Sequence, residues 1–186
     1  PGVGKTTLAS IIAEESKRPF YVLSAINSGV KDVREVIDKA KKAGGLFTQK
    51  NPLLFIDEIH RFSKSQQDSL LAAVEKGWVT LIGATTENPS FEVISALLSR
   101  CQVYTLNSLD ADAIQTLINK AIQSDKFLKE RFIQIEEYDA LIQFAAGDAR
   151  KALNLIDLIA STFEPDIEKL NPLSVVTLYS SASDLF

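Results

Sequence analysis

Pro52-Leu53-Leu54-Phe55-Ile56-Asp57-Glu58 is apolar on every residue until two carboxylates close it. A continuous apolar run of this length reads as a strand buried on both faces, which belongs in a parallel sheet covered by helices. Such a strand delivers Asp57 to the edge of the sheet, where its carboxylate can hold the water shell of Mg²⁺. Glu58, one residue later, can polarise a water for in-line attack on a phosphate. A strand that simply ends in two solvated acids is the plain alternative, so the reading depends on what flanks it.

Upstream, the chain opens on Pro1-Gly2-Val3-Gly4-Lys5-Thr6-Thr7. Gly4-Lys5-Thr6 supply the last three positions of the phosphate-binding pattern G-x-x-x-x-G-K-[ST], the Walker A loop. Glycines let backbone N–H groups approach phosphate oxygens in conformations a side chain would forbid. Lys5 would offer its ammonium to the β- and γ-phosphates, the Thr6 hydroxyl would ligate Mg²⁺, and Gly2, Val3 and Thr7 complete the cradle. The helix that follows would add its positive dipole end. With the carboxylate pair as Walker B, and one strand–helix pair between the two motifs, the spacing is that of a P-loop ATPase.

Outward from these motifs the periodicity alternates. Leu8, Ile11 and Ile12 predict a helix to about Ser16, with Phe20-Tyr21-Val22-Leu23 as a strand. Val30, Val33, Ile37 and Ala40 predict a helix until Gly44-Gly45. A helix from about Ser65 to Lys76, a strand at residues 79–85, a short helix near Val93 to Leu98 and a strand at residues 102–106 follow. Alternating strands and helices imply an α/β fold with a parallel sheet flanked by helices. After Leu109 helical patterns dominate: Ile114, Leu117, Ile118 and Ala121; Tyr138, Leu141, Ile142 and Ala145; Leu153, Ile156, Ile159 and Phe163. The expected division is a nucleotide-binding α/β domain over residues 1–108, a small helical lid over 109–164, and the start of a further region at 165–186.

Three more segments carry candidate chemistry. Thr86, with Asn88 as second choice, follows the strand at 79–85 and could sense the γ-phosphate or position water. Arg100, just before the strand at 102–106, could act in trans as an arginine finger. Asp148 reads as a helix N-cap that places Arg150 in a first turn, where positive charge is locally unfavourable and a phosphate would be a reason for it. The first two have an ordinary reading too: a polar turn and a solvated arginine. Trp78, Phe91 and Tyr104 read as core or interface aromatics.

Composition bounds the rest. A chain of 186 residues that is 46% hydrophobic and 24% charged is globular, not disordered or collagen-like. No apolar run approaches the roughly 20 residues that cross a bilayer, and no signal-peptide pattern opens the chain. The single cysteine, Cys101, forbids an internal disulfide and fits a reducing compartment. The single histidine, His60, has no cysteine or carboxylate cluster around it in sequence from which to build a metal site. Net charge is −4, so DNA contact would need a local basic patch. Lys31, Arg34, Lys41 and Lys42 provide one, though Glu35 and Asp38 interrupt it.

The five motifs stand in the order used by AAA+ ATPases. The wording most resembles the replication-associated recombination ATPases, the bacterial RarA/MgsA family, similar to the eukaryotic Werner helicase-interacting protein. The resemblance is carried by Asp57-Glu58-Ile59-His60-Arg61-Phe62, Gln66-Gln67-Asp68, residues 83–91 (GATTENPSF), Leu97-Leu98-Ser99-Arg100-Cys101 and Gly147-Asp148-Ala149-Arg150. It implies that Lys5 and Thr6 bind ATP and Mg²⁺, that Asp57 is the metal carboxylate and Glu58 the catalytic base. It further implies Thr86 as sensor 1, Arg100 as the finger in trans and Arg150 as sensor 2. The family acts on DNA at stalled forks and ends, as homo-oligomers with replication and repair proteins, in the bacterial cytoplasm or the eukaryotic nucleus. A clamp-loader or RuvB-like subunit and a non-catalytic nucleotide-gated scaffold are the rival readings.

By the same resemblance, a strand lies before Pro1 and an oligomerisation region after Phe186. Without that first strand the sheet would carry edges of unpaired backbone groups at about 1–3 kcal/mol each. A folding margin of about 5–15 kcal/mol would not cover them. The chain as written is therefore expected to fold poorly and to bind ATP weakly.

Overall fold

The computed structural model describes residues 2–43, 51–131, 133 and 135–162. They form two compact units, one of Gly4–Thr105 and one of residues 2–3 with 106–162.

The first unit is an α/β layer. Its strands β1 (Phe20–Ser24), β2 (Leu53–Asp57) and β3 (Thr80–Gly83) form a parallel sheet in the order β1-β2-β3. The register aligns Ser24 with Asp57, and Val22, Phe55 and Ile82 across the sheet. β2 is central, and Leu53, Leu54, Phe55 and Ile56 are all buried, as an apolar run covered on both faces requires. Helices α2 (Val30–Ala43) and α3 (Lys64–Glu75) share a core with β1 and β2 through Val33, Ile37, Leu54, Ile56 and Leu70. The break expected at Gly44-Gly45 lies outside the described residues. Helix α1 (Lys5–Ser16) belongs to a smaller cluster in which Ala9 meets Phe55 and Ala84.

That packing corrects the expected face of α1. Leu8, Ile11 and Ile12 are about half exposed, and the buried residues are Ala9 and Ala13. Alanines let the helix approach the sheet closely, and the larger side chains are displaced to the outer faces.

Two further corrections concern the segment after β3. The single helix expected near Val93 to Leu98 is a pair of short ones, α4 (Pro89–Glu92) and α5 (Ser95–Leu98). Residues 102–106 form no strand: β2 fills one side of β3, and no ladder engages β3's other edge among the described residues. Val103 and Tyr104 are exposed accordingly, and Phe91 is 84% exposed, so neither Phe91 nor Tyr104 is a core aromatic. Trp78 is half-buried, with Lys41 and Lys76 over its ring at 4.2 and 4.8 Å.

The second unit is helical: α6 (Ala111–Ser124), α7 (Lys126–Lys129), α8 (Asp139–Ala145) and α9 (Ala149–Thr162). Ile114, Ile118, Leu128, Leu141, Ala145 and Ile156 form its core. Asp110 caps α6 by accepting from Ala113 N–H at 2.8 Å. On α9 the buried residues are Ala152, Ile156 and Ala160, while Leu153, expected to face inward, is exposed. Phe163 lies outside the described residues.

Candidate functional site

The carboxyl ends of the three strands are tied together beyond the regular ladder. Ala25 N–H donates to Asp57 C=O at 3.0 Å, Ala84 N–H to Ile56 C=O at 2.8 Å, and Ile59 N–H to Ala84 C=O at 2.9 Å. The last bond requires the chain to turn sharply after Asp57. Glu58 makes the turn with φ of 53°, a left-handed conformation uncommon for a residue with a side chain, and a single 3-10 turn over Ile59–Arg61 follows. Gly83 permits the close approach, because a Cβ there would stand 3.0 Å from Ile59 Cδ1. Backbone strain of about 1 kcal/mol or more is thus held at the residue expected to act as base.

The turn brings four side chains together. Thr86 Oγ1 donates to Glu58 Oε2 at 3.2 Å, and His60 Nδ1 lies 3.2 Å from the same oxygen. Thr85 Oγ1 stands 2.9 Å from His60 Nδ1 and accepts from Glu87 N–H at 3.0 Å. Glu58 and His60 are mostly buried, with side chains 22% and 13% exposed. Of the two residues weighed as sensor, Thr86 therefore contacts Glu58. Asn88 is engaged elsewhere: its Oδ1 accepts from Ser90 N–H at 3.0 Å and caps α4. His60 and Thr85 were not anticipated as members of this group. No sequence signal marked them, because His60 reaches Glu58 only through the left-handed turn at residue 58.

Asp57 ends β2, half-buried, with Glu58 beside it. Gly4 caps α1 with φ of 86° and no side-chain hydrogen bond to the first turn, a conformation glycine adopts without strain. The N–H groups of the first turn therefore have no side-chain cap, and anions are stabilised at such an end. Lys5 is half-buried in this turn, and Thr6 and Thr7 are exposed. Ala9, on the second turn of α1, shares a buried cluster with Phe55 of β2 and with Ala84, which directly follows β3. This donor set fits a magnesium nucleotide: Mg²⁺ typically takes one or two protein oxygens, keeps waters and shares phosphate oxygens. Among the described residues no group of three or more His, Cys, Asp or Glu could hold a metal alone.

Arg100 is not at this cluster. Its Nη1 donates to Ala96 C=O at 2.7 Å and Ser99 Oγ at 3.2 Å, and its Nη2 meets Glu75 Oε1 at 2.6 Å. Cys101 packs half-buried against the core, and burial pushes its thiol pKa above 9.0. Gly2, Val3 and Arg150 belong to the helical unit. There Asp148 caps α9, its Oδ1 accepting from Arg150 N–H at 2.8 Å and Lys151 N–H at 3.1 Å, as expected for an N-cap. Ala149 N–H donates to Gly2 C=O at 3.0 Å.

Comparison with known proteins places the chain in a family. The ATPase family associated with various cellular activities (AAA) matches residues 1–109. ATPase WRNIP1 of Dictyostelium discoideum is 49% identical over 160 residues, 85% of this chain and 18% of that protein. Replication-associated recombination protein A of Coxiella burnetii is 48% identical over 163 residues, 86% of this chain and 36% of that protein. The chain thus spans about a third or less of the length of these relatives. Among solved structures, the Thermotoga maritima RuvB Holliday junction branch migration motor superposes with a TM-score of 0.69 at 29% identity, covering 87% of this chain and 52% of that one. With its parallel sheet, flanking helices and matched sequence pattern, the chain belongs to the AAA family of ATPases.

Proposed function

We propose that the chain is the ATP-hydrolysing core of a DNA-stimulated ATPase of replication-associated recombination. The hydrogen bond from Thr86 to Glu58 carries the reading, because it joins a sensor-type hydroxyl to the residue that would activate water. Lys5 and the first-turn N–H groups of α1 bind the β- and γ-phosphates, with Gly2, Val3 and Thr7 lining the loop. Thr6 and Asp57 would hold Mg²⁺, which would supply charge neutralisation at the transferring phosphoryl group. Glu58 accepts the proton of the attacking water. Arg100 reaches the nucleotide of a neighbouring copy in a homo-oligomer, and Arg150, in the first turn of α9, is assigned the sensor 2 role. Among the described residues no helix is long and apolar enough to cross a membrane. The replication-associated recombination named for a relative supports DNA and proteins of replication and repair as partners, and a cytoplasmic or nuclear setting is proposed with them.

Replacing Glu58 by Gln in the full-length protein tests the core of the proposal. Turnover should fall by about 100-fold or more while ATP binding persists. An unchanged hydrolysis rate would sink the enzyme reading and favour a nucleotide-gated scaffold.

DNA contact is assigned to α2. Lys31 and Arg34 are exposed there, whereas Lys41 is engaged by Asp38 at 2.8 Å and by the Trp78 ring. Reversing the charge of Lys31 and Arg34 should lower affinity and flatten the dependence of log K on log salt. Identical binding isotherms for the variant would remove α2 from the interface.

A further inference from the structure

Both contacts to the Glu58 carboxylate fall on one oxygen. Thr86 Oγ1 and His60 Nδ1 each lie 3.2 Å from Oε2, and no hydrogen bond engages Oε1 among the described residues. The tautomer of His60 follows from its surroundings. Were Nδ1 bare, its lone pair would face a carboxylate oxygen, so the favourable arrangement places the proton on Nδ1. Nδ1 then lies 2.9 Å from Thr85 Oγ1, its hydrogen-bond partner, and 3.2 Å from Glu58 Oε2, close enough for charge–dipole attraction. Thr85 is itself fixed by Glu87 N–H. The ring is therefore anchored from the end of β3 and reaches back onto the carboxylate.

We propose that His60 is a positioning residue for Glu58: its Nδ1–H, anchored by Thr85, pins Oε2 and leaves Oε1 to accept the proton of the attacking water. The inference rests on Glu58 being the base, and it adds what holds that base. Glu58 needs such a hold. Its backbone is in a left-handed conformation, and a glutamate side chain has three rotatable bonds, so an unpinned carboxylate would spend little time in one orientation. The Thr86 hydroxyl supplies one donor. The close polar contact of His60 Nδ1 with the same oxygen restricts the carboxylate further.

Asparagine and glutamine separate this role from ordinary packing, because an asparagine amide nitrogen occupies roughly the place of Nδ1 and a glutamine amide the place of Nε2. In the full-length protein, His60→Ala and His60→Gln should lower kcat by about 10- to 100-fold with KM for ATP little changed. His60→Asn should keep kcat within about threefold of the parent. Thr85→Val should lower kcat in the same direction, and Thr85→Ser should restore it. ATP binding and melting temperature are measured for every variant. The proposal is overturned if His60→Ala leaves kcat unchanged or raises it, if His60→Asn falls as far as His60→Ala, or if the losses follow melting temperature instead of the position of the amide. Glu58→Gln, run alongside, separates the two levels. A dead Glu58→Gln with an indifferent His60 series defeats the positioning role alone, and an active Glu58→Gln defeats the base assignment beneath it.

Discussion

Arg100 Nη2 lies 2.6 Å from Glu75 Oε1, so the arginine expected to serve a neighbouring copy is held by a carboxylate of its own chain. Both side chains are 43% exposed, and an ion pair at such a surface contributes only about 0–1 kcal/mol. It can part readily when a subunit docks. The expected outcome for Arg100→Ala is a loss of turnover of about 1,000-fold in the assembled protein with ATP affinity retained. Mixing Arg100→Ala with Glu58→Gln subunits should recover part of the activity, because each supplies the group the other lacks. If the mixture is no more active than its components, Arg100 does not work across an interface.

Gln67 is the buried polar residue on which the path from α3 to α5 depends. It is 2% exposed, its Nε2 donates to Phe62 C=O and Glu92 C=O at 3.1 Å each, and its Oε1 accepts from Ile94 N–H at 2.8 Å. Gln67→Leu would strand two carbonyls and one N–H without partners. A loss of about 2–4 kcal/mol in urea or thermal unfolding is expected. A midpoint equal to the parent's would show that water or repacking replaces the amide.

Cys101 is expected to alkylate slowly in the native state. Burial favours the neutral thiol and raises its pKa above 9.0, so little thiolate is present at pH 8. For linkage, this stabilising preference is whole below the unfolded thiol pKa. It is lost as pH rises, because the unfolded chain ionises first. Cys101→Ala should therefore flatten the fall in stability on the alkaline side. Native alkylation at the rate of the denatured chain would contradict the burial.

Much of the fold was legible because the decisive signals were redundant. β2 could be read from five consecutive apolar residues ending in acids, a pattern that only a doubly covered strand explains. The capped turn at Asp148 followed from residue type alone. Faces were less legible. On α1 the alanines turn inward and the larger residues outward, because closeness of approach governs which side chains fit beneath that helix; on α9 Ile156 is buried between Ala152 and Ala160 while Leu153 faces out. The strand at 102–106 failed for a different reason, since a strand exists only with a partner, and sequence shows propensity without showing the neighbour. Thr86 was legible from its place after a strand. His60 was not, because its contact with Glu58 depends on one positive φ.

That φ of 53° at Glu58 sets chemistry and robustness against each other. Glycine is the residue that relaxes such a backbone, so the sequence change easiest on folding here is also one that removes the carboxylate proposed as proton acceptor. If Glu58 is the base, a screen for heat-resistant variants would drift toward dead enzymes at position 58, trading the strained glutamate for a relaxed turn.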